Sequence, residues 1–257
     1  MKNIISVFMY ALVFVLVISC SEDDNKEFGS LELEFDNVVG EADLELNTSD
    51  EPYTNEAGET YAITSLRYYI SNIKLKRNDG TVYEDEMSAD GSKGYYLIDE
   101  AEGETQHIEL EGIPAGDYTE ITFTIGVDAN QVTEGAQTGP LDPAKGMFWS
   151  WKSGYVFVAV EGTSSSSSDD DNIILYHVGG YDTPNNIKTK TLPMGSAAAQ
   201  VRGDKTPEVH VIADVNKFFA SPHEISFEEL PVRHMPADNV TIAENYVNAF
   251  VVDHVHN

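Results

Sequence analysis

The residues best suited to hold a metal ion close the chain: Val252-Asp253-His254-Val255-His256-Asn257. On an extended strand, side chains two apart share a face, so His254 and His256 would both reach one ion. Neutral imidazole suits copper and zinc, and copper is generally the tighter of the two. Asp253 is placed to orient a ring from behind. On a frayed end the same two histidines would simply be solvated. A third histidine, His177, lies in Tyr176-His177-Val178-Gly179-Gly180-Tyr181, at the end of an expected strand and just before a glycine turn, where it would be either structural or a ligand. Both tryptophans, Trp149 and Trp151, stand two apart within Gly146-Met147-Phe148-Trp149-Ser150-Trp151-Lys152-Ser153-Gly154-Tyr155. They would pack as core at a sheet edge or form an aromatic platform for a glycan or peptide. Met147 and Met235 could add thioether ligands, although methionine is ordinarily core filler. The acidic run Asp169, Asp170 and Asp171 could attract calcium, but it lacks the glycine and distant glutamate of an EF-hand loop.

Other chemistry is excluded or unsupported. The chain has 257 residues, with 15 Lys plus Arg against 44 Asp plus Glu, for a formal net charge of −29. Such a surface repels a phosphate backbone and anionic lipid, so no nucleic-acid partner is expected. The only cysteine, Cys20, rules out an intrachain disulfide, a Cys-based zinc site and a thiol nucleophile beyond that residue. No G-x-S-x-G elbow, P-loop, G-x-G-x-x-G or H-E-x-x-H is present, and His223-Glu224 is followed by Phe227 where a second zinc histidine would stand. A binding protein is expected, not an enzyme.

The first residues address the chain. Lys2 precedes an apolar run, residues 4–18, with the length of a signal-peptide core. Val17-Ile18-Ser19-Cys20 resembles a bacterial lipobox, in which cleavage falls before the cysteine and the cysteine is acylated. The expected division is a signal peptide over 1–19, an acidic tether over 20–30 and one domain over 31–257. Ser21-Glu22-Asp23-Asp24-Asn25 is similar to the export signal of surface-exposed lipoproteins in the Bacteroidetes. The expected location is therefore the outer membrane, held by lipid on Cys20 and facing either the cell surface or the periplasm.

The elements that must position the candidate ligands are short strands. Leu31-Glu32-Leu33-Glu34-Phe35 alternates apolar and acidic residues, as a half-buried strand does. Residues 66–76 predict a strand with Tyr69, Ile73 and Leu75 on one side and Lys74 and Lys76 on the other. In residues 118–127, Ile121, Phe123 and Ile125 oppose Thr122 and Thr124. Residues 155–161 and 173–178 predict a hairpin joined by a mobile polar loop, Ser164 to Asp171. A short helix is expected over 214–220. Another is expected over roughly 242–250, with Thr241 and Glu244 as a capping box, followed by an extended tail. This pattern predicts an all-β fold, an antiparallel Greek-key β-sandwich with one or two short helices near the C-terminus.

Four blocks carry a resemblance: IPAGDYTEITFTIGVD (113–128), TGPLDPAKGMFWSWKSGYVFVAVEG (138–162), YHVGG, and the closing NAFVVDHVHN. Together they resemble the MbnP family of exported copper-binding proteins (the MbnP, CorA and MopE group), in its Bacteroidetes lipoprotein branch. The resemblance implies a Greek-key β-sandwich concerned with copper acquisition or sequestration, with Cu(I) the favoured ion. It also implies a tryptophan oxidised to kynurenine by a di-haem partner enzyme related to cytochrome c peroxidase. Trp149 and Trp151 match the family's tryptophan pair, His177 its Y-H-x-G histidine, and His254 and His256 the terminal pair of this branch. Unlike the methanotroph members, this chain has no histidine near its tryptophans in sequence.

Overall fold

The structure is a computed structural model that describes residues 27–257 apart from Ala136, Trp151 and Ser196. The expected signal peptide, Cys20 and most of the tether lie outside the described residues. In chain order the fold begins with β1 (Phe28–Val39), β2 (Ala42–Asp43), β3 (Tyr53–Thr54), β4 (Thr60–Arg77), β5 (Val82–Glu84) and β6 (Tyr95–Asp99). It continues with β7 (His107–Pro114), β8 (Gly116–Ile125), helix α1 (Ala129–Thr133), β9 (Phe148–Ser150), β10 (Gly154–Thr163) and β11 (Ile173–Gly179). The remainder holds β12 (Lys188–Pro193), β13 (Ala199–Val201), β14 (Glu208–Asp214), β15 (Val232–Arg233), helix α2 (Val240–Tyr246) and β16 (Phe250–His256).

Two sheets form a sandwich. The smaller runs β16-β14-β1-β2, with β7 also paired to β1; the larger runs β12-β8-β4-β10-β11-β15 with short strands added. The pairings are mixed: β1 runs parallel to β14, and β11 parallel to β15. The core between the sheets takes Leu31, Leu33, Phe35, Val209, Val211 and Phe250 from the smaller sheet. From the larger it takes Tyr68, Ile70, Ile121, Phe123, Ile125 and Tyr176. Phe250 is fully buried, with its ring centroid 5.5 Å from that of Phe123 and 5.7 Å from that of Tyr68. Burying one such ring stabilises the fold by roughly 2–3 kcal/mol. A second apolar cluster covers the other face of the larger sheet and includes Tyr69, Tyr155, Phe157 and Met147, which makes Met147 core filler.

Several sequence expectations hold. The strands over 31–35 and 118–127 form with the expected faces buried, and β10 pairs with β11 as an antiparallel hairpin. Four details differ. In β4, Asn72 adopts a left-handed φ of 52° and the register slips between Ser71 and Lys74. That bulge turns Tyr69 to the outer cluster while Ile73 and Leu75 face the central core. The 164–172 loop is tied down: Ser164 is fully buried and donates its hydroxyl to the Thr60 carbonyl, 2.6 Å away. The helix expected over 214–220 is a 3-10 turn, Val215–Phe219, in which the Asp214 side chain accepts from the Asn216 amide. Helix α2 starts without a capping box, because the Thr241 hydroxyl accepts from Arg233 and Glu244 pairs with His223.

Candidate metal centre

The C-terminal tail is β16, an edge strand paired antiparallel with β14. Phe250 and Val252 point toward the core, so strict alternation would carry His254 and His256 inward as well. The ladder avoids this with one extra residue. Val252 lies opposite Val211 and His254 opposite His210, which leaves Asp253 unpaired between them. This bulge reverses the phase, so Val255 packs against the core and both histidines emerge on the outer face.

There they meet His210 of β14. The His210 and His254 rings stack with centroids 4.1 Å apart and planes 16° apart. His254 Nε2 and His256 Nε2 are 3.0 Å apart. One nitrogen from each of the three histidines lies within 4.8 Å of the others. Three nitrogens bound at about 2.0–2.1 Å around one ion stand about 3.3–3.6 Å apart, a little closer than the 4.8 Å that encloses this cluster.

The surrounding carboxylates orient these rings. His254 Nδ1 donates to Asp253 Oδ2 over 2.7 Å, so its Nε2 is the lone-pair nitrogen: it accepts from His256 Nε2 at 3.0 Å, and a metal ion would take that proton's place. His210 Nδ1 faces Glu34 Oε2 at 3.1 Å and Asp36 Oδ2 at 3.4 Å. Its Nε2 is buried and has no hydrogen-bond partner, while Glu208 Oε1 stands 3.6 Å away. A buried, unpartnered imidazole nitrogen beside two other imidazoles is what a metal site needs and a purely structural histidine avoids. Burial and a hydrogen bond with Glu208 push the Glu34 carboxyl above the usual carboxylate range, against the pull of His210.

The other residues singled out from sequence lie elsewhere. His177 is on β11, its Nε2 2.7 Å from Glu161 Oε1. Its neighbours Tyr176 and Val178 face the central core, so His177 faces away from it on the larger sheet. The whole sandwich core separates it from the three clustered histidines, and it does not share an ion with them. Trp149, on β9, lies against Gly179 on that same larger sheet, where a Cβ on Gly179 would come within 2.5 Å of Trp149 Cζ3. Trp151 lies outside the described residues. Met235 is exposed. The carboxylates of 169–171 do not enter any three-ligand grouping among the described residues, and Asp169 Oδ1 accepts from the Asp171 amide. Sequence reading missed His210. The clue was there: Glu208-Val209-His210-Val211 alternates as β1 does, with the histidine in the outward phase.

The fold and site define a β-sandwich with an imidazole cluster on the outer face of its smaller sheet. The family model MbnP matches residues 28–236, so the chain belongs to the MbnP family. That match includes His210 and ends before His254 and His256. Among solved structures the chain resembles MbnP from Methylosinus trichosporium, at 13% identity and a TM-score of 0.52. The similarity covers 77% of this chain and 80% of that one, and at this identity it speaks for the fold alone. No curated protein sequence matches the chain. Family membership supports a copper-related function.

Proposed function

We propose that this protein is an exported, lipid-anchored copper-binding protein, not an enzyme, that acquires or sequesters copper through His210, His254 and His256. The observation that carries this reading is the buried, unpartnered Nε2 of His210 beside the paired Nε2 atoms of His254 and His256. Three neutral imidazoles suit copper, and a three-coordinate set favours Cu(I), the d10 ion that accepts such low coordination. Asp253 fixes the His254 tautomer. In this reading His177 and Trp149 are not ligands. A kynurenine made from Trp149 by a di-haem partner would be a modification remote from the trio. Acylation of Cys20 holds the acidic domain at the outer membrane, because its charge gives it no attraction for lipid headgroups.

The test is a Cu(I) competition titration of the metal-free full chain against a chromophoric chelator. Loss of one of three ligands is expected to weaken Cu(I) by more than about 100-fold, since even partners behind the ligands are worth 10–100-fold. His210→Ala and His256→Ala should each show this loss, with His177→Ala and Trp149→Ala unchanged. Wild-type affinity in His210→Ala overturns the ligand set. Cys20→Ala should move the protein from the membrane to the soluble fraction, and retention at the membrane would sink the anchor.

A further inference from the structure

The smaller sheet has an unusual charge pattern. None of the residues of β1, β2, β7, β14 or β16 is a lysine or arginine. Its outer face instead carries acids and imidazoles in register. Glu34 lies opposite both His107 and His210, and His210 opposite His254. In the next row Glu109, Glu32, Glu208 and His256 lie side by side across β7, β1, β14 and β16. Three carboxylates directly opposite one another on adjacent strands repel, at roughly 0.2–1 kcal/mol per pair. The sheet supplies no cationic side chain of its own to offset that.

We propose that Glu32, His107 and Glu208 form a second cation site on this face, distinct from the imidazole trio and selective for a divalent transition ion such as Zn(II). One ligand atom from each of the three lies within 4.8 Å of the others. His107 Nδ1 and Glu32 Oε1 are hydrogen-bonded at 2.8 Å, a contact that a divalent ion would replace by displacing the shared proton. Two carboxylates and one imidazole are the harder donor set, with charge that balances a divalent ion. The trio next to it is neutral and softer. Glu208 lies between the two sites, with Oε1 3.6 Å from the unpartnered Nε2 of His210. The face thus places two ligand sets of different hardness a strand apart, one for copper and one for a divalent ion. This inference does not depend on the copper reading, since it uses neither His254 nor His256.

The test is Zn(II) titration of the metal-free full chain against a chromophoric chelator, in the His254→Asn/His256→Asn background that removes the trio. One Zn(II) equivalent should remain. Adding His107→Asn or Glu32→Gln should weaken it by about 100-fold or more, because each removes a direct ligand. With the trio intact, the same two substitutions should leave Cu(I) affinity unchanged. Zn(II) should raise the midpoint of thermal unfolding of the background protein and leave that of the His107→Asn form unmoved, which separates lost binding from lost folding. Absence of Zn(II) binding in the background, or affinity untouched by both substitutions, overturns the second site. Failure of Cu(I) to bind with Zn(II) still held would overturn only the copper reading.

Discussion

Deleting Asp253 separates two roles that this residue plays at the trio. As the extra residue of the bulge, it is not needed for the outward phase of the histidines. Without it, Val252 still faces Val211, and His254 follows directly to face His210. A regular ladder therefore keeps Val252 and Val255 inward and both histidines outward. The Asp253 carboxylate, by contrast, holds His254 Nδ1 at 2.7 Å. Losing such a partner typically costs 10–100-fold in metal affinity, or about 1.4–2.7 kcal/mol at 1.36 kcal/mol per decade. The deletion and Asp253→Ala should therefore weaken Cu(I) by the same 10–100-fold, measured by chelator competition. The deletion should also keep wild-type stability within about 1–2 kcal/mol in urea unfolding, the scale of fixing one residue's backbone. An insertion of one alanine after Asp253 makes two extra residues, which a regular ladder absorbs with both histidines still outward but with His254 moved from His210 to Glu208, and the loss of His210 from the trio should weaken Cu(I) by more than about 100-fold. A deletion that abolishes copper binding while Asp253→Ala retains most of it would refute the register argument.

Gly179→Ala sets a Cβ 2.4 Å from the Tyr155 carbonyl oxygen and 2.5 Å from Trp149 Cζ3. It should cost about 1–3 kcal/mol in chemical unfolding, and wild-type stability would contradict the packing of Trp149. Phe250→Ala, at the meeting point of Phe35, Tyr68 and Phe123, should cost about 3–5 kcal/mol by the same assay. Burial pushes the Glu59 carboxyl up, but bonds from the Phe227 and Glu228 amides, Asn55 and Ser226 outweigh it and hold the carboxyl below the usual range. A depressed folded pKa gives stability that is present above the ordinary carboxylate pKa and lost as pH falls through the folded value. Glu59→Gln should therefore lower stability at neutral pH by roughly 1–3 kcal/mol and flatten its acid dependence. An unchanged slope of stability against pH would remove Glu59 from that account. Saturating Cu(I) at 100 times its dissociation constant should add about 2.7 kcal/mol to the wild type and, at the same concentration, no more than about 0.4 kcal/mol to His256→Ala, read as thermal midpoints.

Much of the scaffold was legible because period-2 alternation is a local signal. Leu31-Glu32-Leu33-Glu34-Phe35 and Ile121, Phe123 and Ile125 declare both strand and face without reference to any partner. The terminal histidine pair and the orienting role of Asp253 were local in the same way. What was not legible depends on pairing. His210 joins His254 only because β14 is laid between β1 and β16, and β14 meets β1 in parallel across more than 170 residues of chain. His177 and Trp149 looked equally eligible, because nothing local tells which sheet a strand will join. The bulges sit between these cases. Phe250 and Val252 share parity with His254 and His256 while Val255 has the opposite parity, a conflict that one inserted residue resolves. The left-handed Asn72 resolves a similar conflict in β4.

The charge of the chain takes on a different meaning once the sheet is assembled. A net charge of −29 first reads as exclusion, of nucleic acid and of anionic lipid. On the smaller sheet the acids are arranged instead of merely abundant. The core phase of these strands is filled with aliphatic and aromatic side chains except at Asn37, so the acids and imidazoles fall on the outer phase, and register then lines them up across strands. Such a face concentrates cations from solution through its summed field, while in the proposed function the imidazoles decide which cation is kept. Removing the acids away from the ligand sets, such as Glu109 and Glu111, should therefore slow metal association more than it changes dissociation. The two roles share one surface and fail separately.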